Sequence, residues 1–417
     1  MKKSILVFGL GFLQKSLIEQ CKSLGLYVVG MDITDDALLR DEVDAFEVVA
    51  GDDFEGSLAV AKKYAVSGVV CAATDKPLVM MARVAEALLL PFYSVDTAKW
   101  STDKLLMKQR FELGGVPHAK GRLVGCIEEF ESEGWNYPVI VKPRDNSGSR
   151  GVIYCENEAQ VCEAMTEAMQ YTKKGNVLVE EFIDGPEYSI ESLHYHDETH
   201  VLQFTQKQTT TFPYNVELGH IQPADFTEEQ RSEIRTIIGK IARCLNFDGC
   251  GSHTELKVSS RGIVVIETSP RLGGDFITST LVPLSTGINM ERLLARMSVG
   301  EAIADEEFLP KFQKSSGVVF FELPEGRIES IGDIDRLGQI PGCKAWEFDK
   351  HVGDEVNRIT SSLNRYGYAI FQTEGREQTI ESMEEARNIV RKLVYIDTSL
   401  SDVTRSRAPA GKRFLSA

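Results

Sequence analysis

Two short apolar runs joined by a polar turn at 259–262 make up most of the segment from Gly251 to Gly274, and this pattern predicts a β-hairpin. Glu255 lies on the first run and Glu267 on the second, an even number of positions later. Because side chains alternate between the two faces of a strand, a tight reversal can bring both carboxylates to one face, across from each other. Two ionised carboxylates at close range repel unless a cation lies between them. The hairpin therefore predicts a site for a hard cation such as Mg²⁺; the alternative is a solvated surface hairpin with unrelated charges.

A second group of candidates follows a predicted strand at 138–143. Lys142 lies inside this apolar strand, where a lysine rarely stands without a partner. The loop from Asn146 to Gly151 is small and polar, and its glycines let backbone N–H groups approach phosphate oxygens. Arg271, four residues after Glu267, is a permanent cation that can grip carboxylate or phosphate oxygens. These residues favour a phosphate site over a hairpin turn with incidental charges.

The segment VLVEEFIDGPEYSIE predicts a purine-binding strand edge. Glu180 and Glu181 interrupt an apolar strand, and Gly185–Pro186 ends it. A flat purine needs apolar faces and one donor–acceptor edge, which a strand backbone can offer. A carboxylate a few residues further on, Glu187, can accept both ribose hydroxyls. An edge strand with protective charges accounts for the same residues.

Length, charge and cysteine pattern limit the classes that fit. A chain of 417 residues exceeds one ordinary core, so two or three domains are expected. The formal net charge of −16 argues against nucleic acid or an anionic membrane as the main partner, because both need basic surface. No apolar run reaches the roughly 18 residues that span a bilayer. The eight cysteines show no CxxC and no paired histidine spacing, which predicts buried free thiols and a reducing cytoplasm.

The first 95 residues alternate strands and helices, which predicts a parallel sheet of βαβ units. We expect strands at 4–9, 26–31 and 67–72, and helices at 12–24, 56–66 and 78–90. Gly9 and Gly11, with Asp32 as a ribose acid, are compatible with an NAD(P)-dependent oxidoreductase. The third glycine position is Gln14, however, so a tight turn before a helix is favoured.

An α+β region follows, with a helical run after Asp103–Lys104. The predicted strands are 138–143, 151–155, 176–182 and 188–194, and the predicted helices are 157–171, 227–245 and 287–298. A third region starts at Gly317 and ends in a helix at about 380–394. The polar, basic tail from Ser399 is predicted to be disordered.

The order and spacing of these motifs resemble the ATP-grasp superfamily over about residues 1–395. The resemblance rests on DK at 103–104, VKP at 141–143, the SGSRGV loop, VEEFIDGPEYSIE, the glutamate pair and ETSPRLGG. VELGHIQPADF at 216–226 and RYGYAIFQTEGREQTIESMEEA at 365–386 are similar to the L-amino-acid ligase group, including its carbamoyl-phosphate-synthase-like members. The implied fold is α/β: a Rossmann-like domain (1–96), an ATP-grasp domain (97–312) with an α+β lid subdomain at about 115–185, a small α+β C-terminal domain (313–398) and the tail (399–417).

The resemblance also implies roles for single residues around ATP. Lys104 and Lys142 would bind the phosphates. The lid loop over the phosphates would consist of Ser147, Gly148, Ser149 and Gly151. Glu180 would meet the adenine amino group and Glu187 the ribose, while the backbone at Glu181 and Ile183 would meet the ring edge.

At the reacting end, the resemblance implies that Glu255 and Glu267 hold Mg²⁺, as two ions, with Mn²⁺ as an alternative. Arg271 would stabilise an acyl phosphate, and Lys207, in QKQTTT, would be a further contact to the γ-phosphate. One departure stands out: relatives usually have asparagine two residues after the second metal glutamate, whereas this chain has Ser269. A serine hydroxyl can ligate Mg²⁺, but it is shorter than an amide.

Two candidate substrate residues, Glu217 and His220, lie in a polar segment that the sequence places between a strand and a helix. Glu217 can meet the α-amine of an amino acid there; the alternative is a loop salt bridge and a surface histidine. Arg271 would double as the anchor for a substrate carboxylate.

Together these features predict an ADP-forming carboxylate–amine ligase that acts through an acyl phosphate on amino acids. Its expected partners are ATP, small carboxylates and amines, and a second copy of the chain in a homodimer, but neither nucleic acid nor a membrane. The alternatives are a purine-biosynthesis-type or bicarbonate-activating ligase of the same fold, the NAD(P)-dependent oxidoreductase, and a non-catalytic nucleotide-binding scaffold.

Overall fold

The computed structural model describes residues 2–130, 134–146, 148, 150–212 and 214–398. Ser147 and Ser149 of the predicted lid loop and the predicted disordered tail at 399–417 lie outside the described residues. All eight cysteines are described and none forms a disulfide. Five of them are buried, as predicted, but Cys126 is exposed. No described helix has both the length and the apolar character that crossing a bilayer requires.

The N-terminal region is a four-stranded parallel sheet in the order β3-β2-β1-β4, which confirms the predicted βαβ pattern. Its elements are β1 (Ser4–Phe8), α1 (Lys15–Ser23), β2 (Tyr27–Asp32), β3 (Ala45–Val48), α2 (Phe54–Lys63), β4 (Gly68–Val70) and α3 (Leu78–Leu88). The sequence did not predict β3, which is a short edge strand with no fully buried residue.

Gln14 and Asp32, two of the residues considered for dinucleotide binding, form hydrogen bonds to the backbone of this domain. The side chain of Gln14 is buried and exchanges two hydrogen bonds with the backbone of Ala72, at 2.6 and 2.8 Å. Asp32 accepts a 2.7 Å hydrogen bond from the backbone of Leu10. Both side chains therefore stabilise the turn after β1.

Two helices, α4 (Val95–Thr102) and α5 (Lys104–Gly114), lead out of this domain. Asp103 breaks the helical run between them, because its carboxylate accepts hydrogen bonds from the backbone N–H groups of Leu105 and Leu106 and so caps α5. The cap places Lys104 in the first turn of α5. A small antiparallel sheet follows, in the order β5-β8-β6-β7. Its strands are β5 (Gly121–Val124), β6 (Val139–Pro143), β7 (Ile153–Cys155) and β8 (Val177–Glu181), and the helix α6 (Glu158–Ala168) connects β7 to β8.

An eight-stranded antiparallel sheet forms the centre of the molecule, in the order β13-β12-β9-β10-β11-β14-β18-β16. Residues 187–269 contribute five of its strands: β9 (Glu187–Tyr195), β10 (Glu198–Thr209), β11 (Glu217–Gln222), β12 (Cys250–Ser259) and β13 (Gly262–Ser269). The helix α7 (Glu228–Leu245) lies between β11 and β12 in the chain, and α8 (Val282–Thr286) and α9 (Met290–Ser298) follow β13. The sequence did not predict β10 or β11. Their inner faces carry buried polar residues, among them Gln203, Thr205 and Lys207, so the usual apolar alternation is missing.

The C-terminal part continues the same sheet. Its elements are β14 (Ser315–Phe320), β15 (Gly326–Ile331), β16 (Cys343–Phe348), β17 (Glu355–Val356), β18 (Gly367–Thr373), α10 (Arg376–Leu393) and β19 (Val394–Asp397). β14, β18 and β16 extend the central sheet beyond β11, and β17, β15 and β19 form a separate three-stranded sheet. α10 contacts β14 and β18, and it buries Met383, Ala386 and Val390.

Candidate active site

The predicted hairpin is confirmed as β12 and β13, and Glu255 pairs directly with Glu267 across it. The ladder shifts register immediately after Glu255. β12 also pairs with β9, so the hairpin belongs to the central sheet and is not an isolated surface hairpin. The two carboxylates therefore lie side by side on one face of a rigid sheet.

Three carboxylates converge on the ammonium group of Lys207. Its Nζ lies 2.6 Å from Glu187, 2.7 Å from Glu255 and 3.3 Å from Glu217. The Lys207 side chain is only 2% exposed. Burial alone would lower the pKa of Lys207, but the three carboxylates raise it well above its usual range. The pKa of Glu255 is well below its usual range, because Lys207 and His253 outweigh the effect of burial.

Lys104 connects the hairpin to the lid loop. Its Nζ lies 3.0 Å from Glu267 and donates a 2.7 Å hydrogen bond to the backbone carbonyl of Asn146. Burial would lower the pKa of Lys104, yet the neighbouring Glu267 raises it. Lys104 is therefore a charged group between the predicted metal carboxylates and the predicted phosphate loop.

The carboxylate of Glu180 is buried between two lysines. Lys142, on β6, forms a short ion pair with it, and Lys108 lies 2.7 Å from its other oxygen. Lys108 also donates a 2.6 Å hydrogen bond to the carbonyl of Ala119. The sequence reasoning missed Lys108, although it follows Lys104 by four residues and so shares its face of α5.

Asp75, a residue that the sequence reasoning also missed, pairs with Arg271. The Asp75 carboxylate lies 3.0 Å from Nε and 3.2 Å from Nη2 of Arg271, and it accepts a hydrogen bond from the hydroxyl of Ser269. The only sequence signal for Asp75 is its place just after β4, at the carboxyl end of a parallel sheet, where such sheets bind ligands.

His220 and Glu217 lie on β11, not in a loop between a strand and a helix. β11 pairs His220 with Lys207 of β10 and leaves the imidazole 1% exposed, so the alternative of a surface histidine is wrong. His220 Nε2 lies 3.4 Å from Asp275, and Arg365 donates to both Asp275 oxygens at 2.7 and 2.8 Å. Burial would raise the pKa of Asp275, but the hydrogen bonds from Arg365 and His220 hold it far below its usual range. His220 Nδ1 is buried and has no partner within the described part of the chain.

The predicted purine edge is partly engaged within the chain. Lys257 donates a 3.2 Å hydrogen bond to the carbonyl of Ile183, and the backbone N–H of Glu181 bonds to Lys120 at 2.9 Å. The side chain of Glu181 pairs with Arg261 at 3.0 Å. In the lid loop, Gly151 has a φ of +72°, and a Cβ there would lie 2.7 Å from Tyr171, so this position requires glycine.

Comparison with known proteins agrees with this geometry. Residues 135–279 match the ATP-grasp domain family, and residues 319–394 match the L-amino acid ligase C-terminal domain 2. An uncharacterised protein, y4rH, from Sinorhizobium fredii is 24% identical over 351 residues, which cover 82% of this chain and 70% of the relative. The arginine-specific large chain of carbamoyl phosphate synthase from Bacillus subtilis is 25% identical over 230 residues, 54% of this chain, but the match spans only 21% of that protein.

Solved structures share the fold. L-amino acid ligase from Bacillus licheniformis superposes with a TM-score of 0.82 at 21% identity, covering 95% of this chain and 99% of the other. The biotin carboxylase domain of 2-oxoglutarate carboxylase from Hydrogenobacter thermophilus, solved as a dimer with MgADP, ADP and bicarbonate, gives a TM-score of 0.70 at 19% identity. That match covers 95% of this chain and 91% of the other.

Residues 135–279 thus form a domain of the ATP-grasp family, and the whole chain shares its fold with the solved structures. More particularly, its C-terminal part is an L-amino acid ligase C-terminal domain.

Proposed function

We propose that this enzyme is an ADP-forming ligase that joins the carboxylate of one amino acid to the amine of a second substrate through an acyl phosphate. One observation carries the proposal: Glu255 and Glu267 lie paired on the central sheet, with Lys104 and Lys207 in contact with their carboxylates. The L-amino acid ligase domain at 319–394 supports amino acids as the substrate class.

The side chains present fit Mg²⁺ and ATP. Carboxylate oxygens of Glu187, Glu217 and Glu255 lie within 4.8 Å of one another, and hard oxygen donors are what Mg²⁺ prefers. Glu255 belongs to this group, whereas Glu267 pairs with Glu255 across the hairpin and is not a member of it. Glu255, Glu267 and the hydroxyl oxygen of Ser269 would hold the ion or ions. When bound, Mg²⁺ would neutralise phosphate charge and orient the transferred group. The biotin carboxylase domain from Hydrogenobacter thermophilus, which shares the fold and was solved with MgADP, supports the same nucleotide and metal for this chain.

The lysines would receive the triphosphate. Lys104, which contacts Asn146 at the start of the lid loop, and Lys142, on the strand before that loop, supply positive charge. Gly148 and Gly151 let the backbone of the loop approach the phosphate oxygens. Lys207 would add a contact to the γ-phosphate. Each of these lysines pairs with a carboxylate, Lys104 with Glu267, Lys142 with Glu180 and Lys207 with Glu187.

The reaction that fits these groups has two steps. A substrate carboxylate oxygen attacks the γ-phosphorus, a new O–P bond forms, and the bond to ADP breaks. The amine nitrogen then attacks the acyl carbon, a C–N bond forms, the C–O bond to phosphate breaks, and the amine gives up a proton. Arg271 would stabilise the negative charge of both steps, and Glu217 and His220 would contact the amino acid. The lid loop would exclude water, which otherwise hydrolyses the acyl phosphate.

The test is a phosphate-release screen of the purified enzyme with ATP, Mg²⁺ and pairs of amino acids. We expect release that requires an amino acid, stops when EDTA removes the metal, and yields ADP rather than AMP. Release that depends on bicarbonate or a ribonucleotide instead would replace the amino-acid proposal with one of the other ATP-grasp chemistries. Binding of NADH without binding of ATP would contradict the proposal altogether.

A further inference from the structure

A carboxylate from the N-terminal parallel sheet reaches into the candidate site. Asp75 stands between β4 and α3, whereas its partners Ser269 and Arg271 lie 194 and 196 positions later in the chain. The side chains of Asp75 and Arg271 are 21% and 13% exposed, so solvent reaches the pair and it is not sealed in the hydrophobic core. This contact therefore connects two distant parts of the chain at the site.

The contacts fix the plane of the Arg271 guanidinium. Asp75 receives hydrogen bonds from Nε and Nη2, and Nη1 donates a third, at 3.1 Å, to the carbonyl of Leu272. An arginine has five N–H donors. The described part of the chain uses three of them, which leaves two for a ligand in a direction that Asp75 determines.

Both oxygens of the Asp75 carboxylate already accept hydrogen bonds, Oδ1 from Ser269 and Arg271 and Oδ2 from Arg271. Burial would raise its pKa, but the charge and hydrogen bonds of Arg271 and the hydrogen bond from Ser269 lower it to about 2. A carboxylate with this pKa is too weak a base to accept a proton from a substrate amine near neutral pH. Its effect on the reaction must pass through the groups that it holds.

Ser269 belongs to the same arrangement. This is the position where the sequence departs from the asparagine of similar proteins, and its hydroxyl hydrogen is directed at Asp75. The hydroxyl bond gives Asp75 a second anchor on the end of β13, two residues from Glu267. The serine at position 269 therefore has a defined partner, the carboxylate of Asp75.

We propose that Asp75 is a positioning residue, which holds Arg271 in the orientation that receives the substrate carboxylate and its phosphorylated form. The proposal rests on the proposed function, because that function makes Arg271 the contact to the reacting group. Asp75 and Ser269 act together: the carboxylate fixes the guanidinium, and the hydroxyl fixes the carboxylate. A purely structural role, in which Asp75 only ties β4 to β13, is the competing explanation.

The test compares Asp75→Asn with Asp44→Asn, a matched change in the same sheet at a carboxylate that accepts a backbone hydrogen bond far from the site. We expect Asp75→Asn to lower kcat/KM for the carboxylate substrate by about 10- to 100-fold, since small misplacements of a binding group cost that much. The KM for ATP should change by less than about 3-fold, and Ser269→Ala should show a smaller loss of the same kind. Asp44→Asn should match the wild type in all constants.

Two outcomes would overturn the proposal. One is unchanged kinetics in Asp75→Asn. The other is an equal loss for ATP and for the carboxylate together with a lower unfolding temperature, which is what a tie between strands predicts. If the wild type turns over with bicarbonate and not with amino acids, the proposed function fails, but the same comparison with bicarbonate still decides the role of Asp75.

Discussion

At the scale of single residues, the site is a set of cations that already have carboxylate partners. Lys104 pairs with Glu267, Lys142 with Glu180, and Lys207 with three glutamates. Burial would lower the pKa of Lys104 and of Lys207, but their carboxylate partners raise both values, so these two lysines keep their charge. Two of these carboxylates, Glu255 beside Lys207 and Glu267 beside Lys104, are the ones proposed to hold Mg²⁺. Metal binding would therefore release lysines for phosphate, which predicts that ATP binds poorly without a divalent ion.

The first prediction concerns the hairpin carboxylate Glu267. We expect Glu267→Gln to reduce kcat/KM by about 10²- to 10³-fold or more, because the amide keeps the shape but loses the charge that holds the ion. Phosphate release with saturating ATP measures the effect, and circular dichroism should show an unchanged fold. Glu329→Gln, on the exposed side of β15, is the control with expected normal activity. Full activity of Glu267→Gln would contradict the metal assignment.

The second prediction concerns Lys108, which shares the buried Glu180 with Lys142. Burial lowers the pKa of Lys108, and Glu180 opposes that effect. Lys108→Met keeps the volume but removes one of two cations, so we expect a loss of about 2–3 kcal/mol in the free energy of unfolding, less than for a fully unpaired charge. Urea denaturation measures it. Lys62→Met, at an exposed position on α2, should stay within about 0.5 kcal/mol of the wild type.

The side-chain pairing that the sequence predicted correctly is one between residues close together in the chain. Glu255 and Glu267 meet because a hairpin brings nearby positions together, and alternation along a strand decides their face. Asp75 reaches Arg271 across 196 positions, and nothing near Asp75 in the sequence indicates that partner. Lys108 was within reach of prediction, since helical spacing alone places it on the face of Lys104.

At the scale of elements, most helices and apolar strands were predicted, and the polar strands were not. The amphipathic helix α7 buries Ile234, Ile237, Ile238 and Ile241 and begins at a capping box of Thr227 and Gln230, signals that the sequence shows directly. β10 and β11 instead bury lysine, histidine and glutamine on the face that forms the site. Local patterns failed there because the site requires polar residues where a strand would otherwise be apolar.

The third prediction concerns the interface between α1 and α9. Glu291 of α9 is buried and accepts a hydrogen bond from Ser16 of α1. Burial raises the pKa of Glu291 to about 7; the hydrogen bond from Ser16 opposes this effect, and the charge of Glu19 adds a smaller rise. Between the ordinary carboxyl pKa of 4.5 and this value, the folded chain binds more protons than the unfolded chain. The free energy of unfolding should therefore fall by up to about 3 kcal/mol, from this group alone, as the pH rises through that window.

Glu291→Gln removes this titration. We expect the variant to be more stable than the wild type at pH 8 and the difference to shrink toward pH 4.5, as measured by urea denaturation at several pH values. Glu19→Gln, on the exposed side of the same helix α1, should keep most of the wild-type pH dependence. A wild type and a Glu291→Gln variant with parallel pH profiles would show that Glu291 titrates normally in the folded chain.

At the scale of the whole molecule, one sheet connects the candidate site to the C-terminal part. β11, which carries Glu217 and His220, pairs with β10 on one side and with β14 on the other. Arg365, beyond β17, reaches back to Asp275 beside His220. The limits 97–312 and 313–398 remain a prediction, but the strands on the two sides of residue 312 complete one sheet. The substrate end of the site thus depends on strands from both sides of residue 312.

The last prediction follows from this continuity: a chain that ends at residue 312 should not form the site. It would lose β14, β18 and β16, so β11 would become an edge strand with an unpaired row of backbone groups. Val216 and Ile221 would lose the apolar cluster that they share with Met383 and Phe371 of the C-terminal part. We expect this shortened chain to aggregate or to elute as an expanded species in size-exclusion chromatography, with amides of β11 unprotected in hydrogen exchange. The full-length chain under the same conditions is the control. A soluble, monomeric product that binds an ATP analogue with normal affinity and protects β11 would show that 313–398 is an independent addition rather than part of the sheet that builds the site.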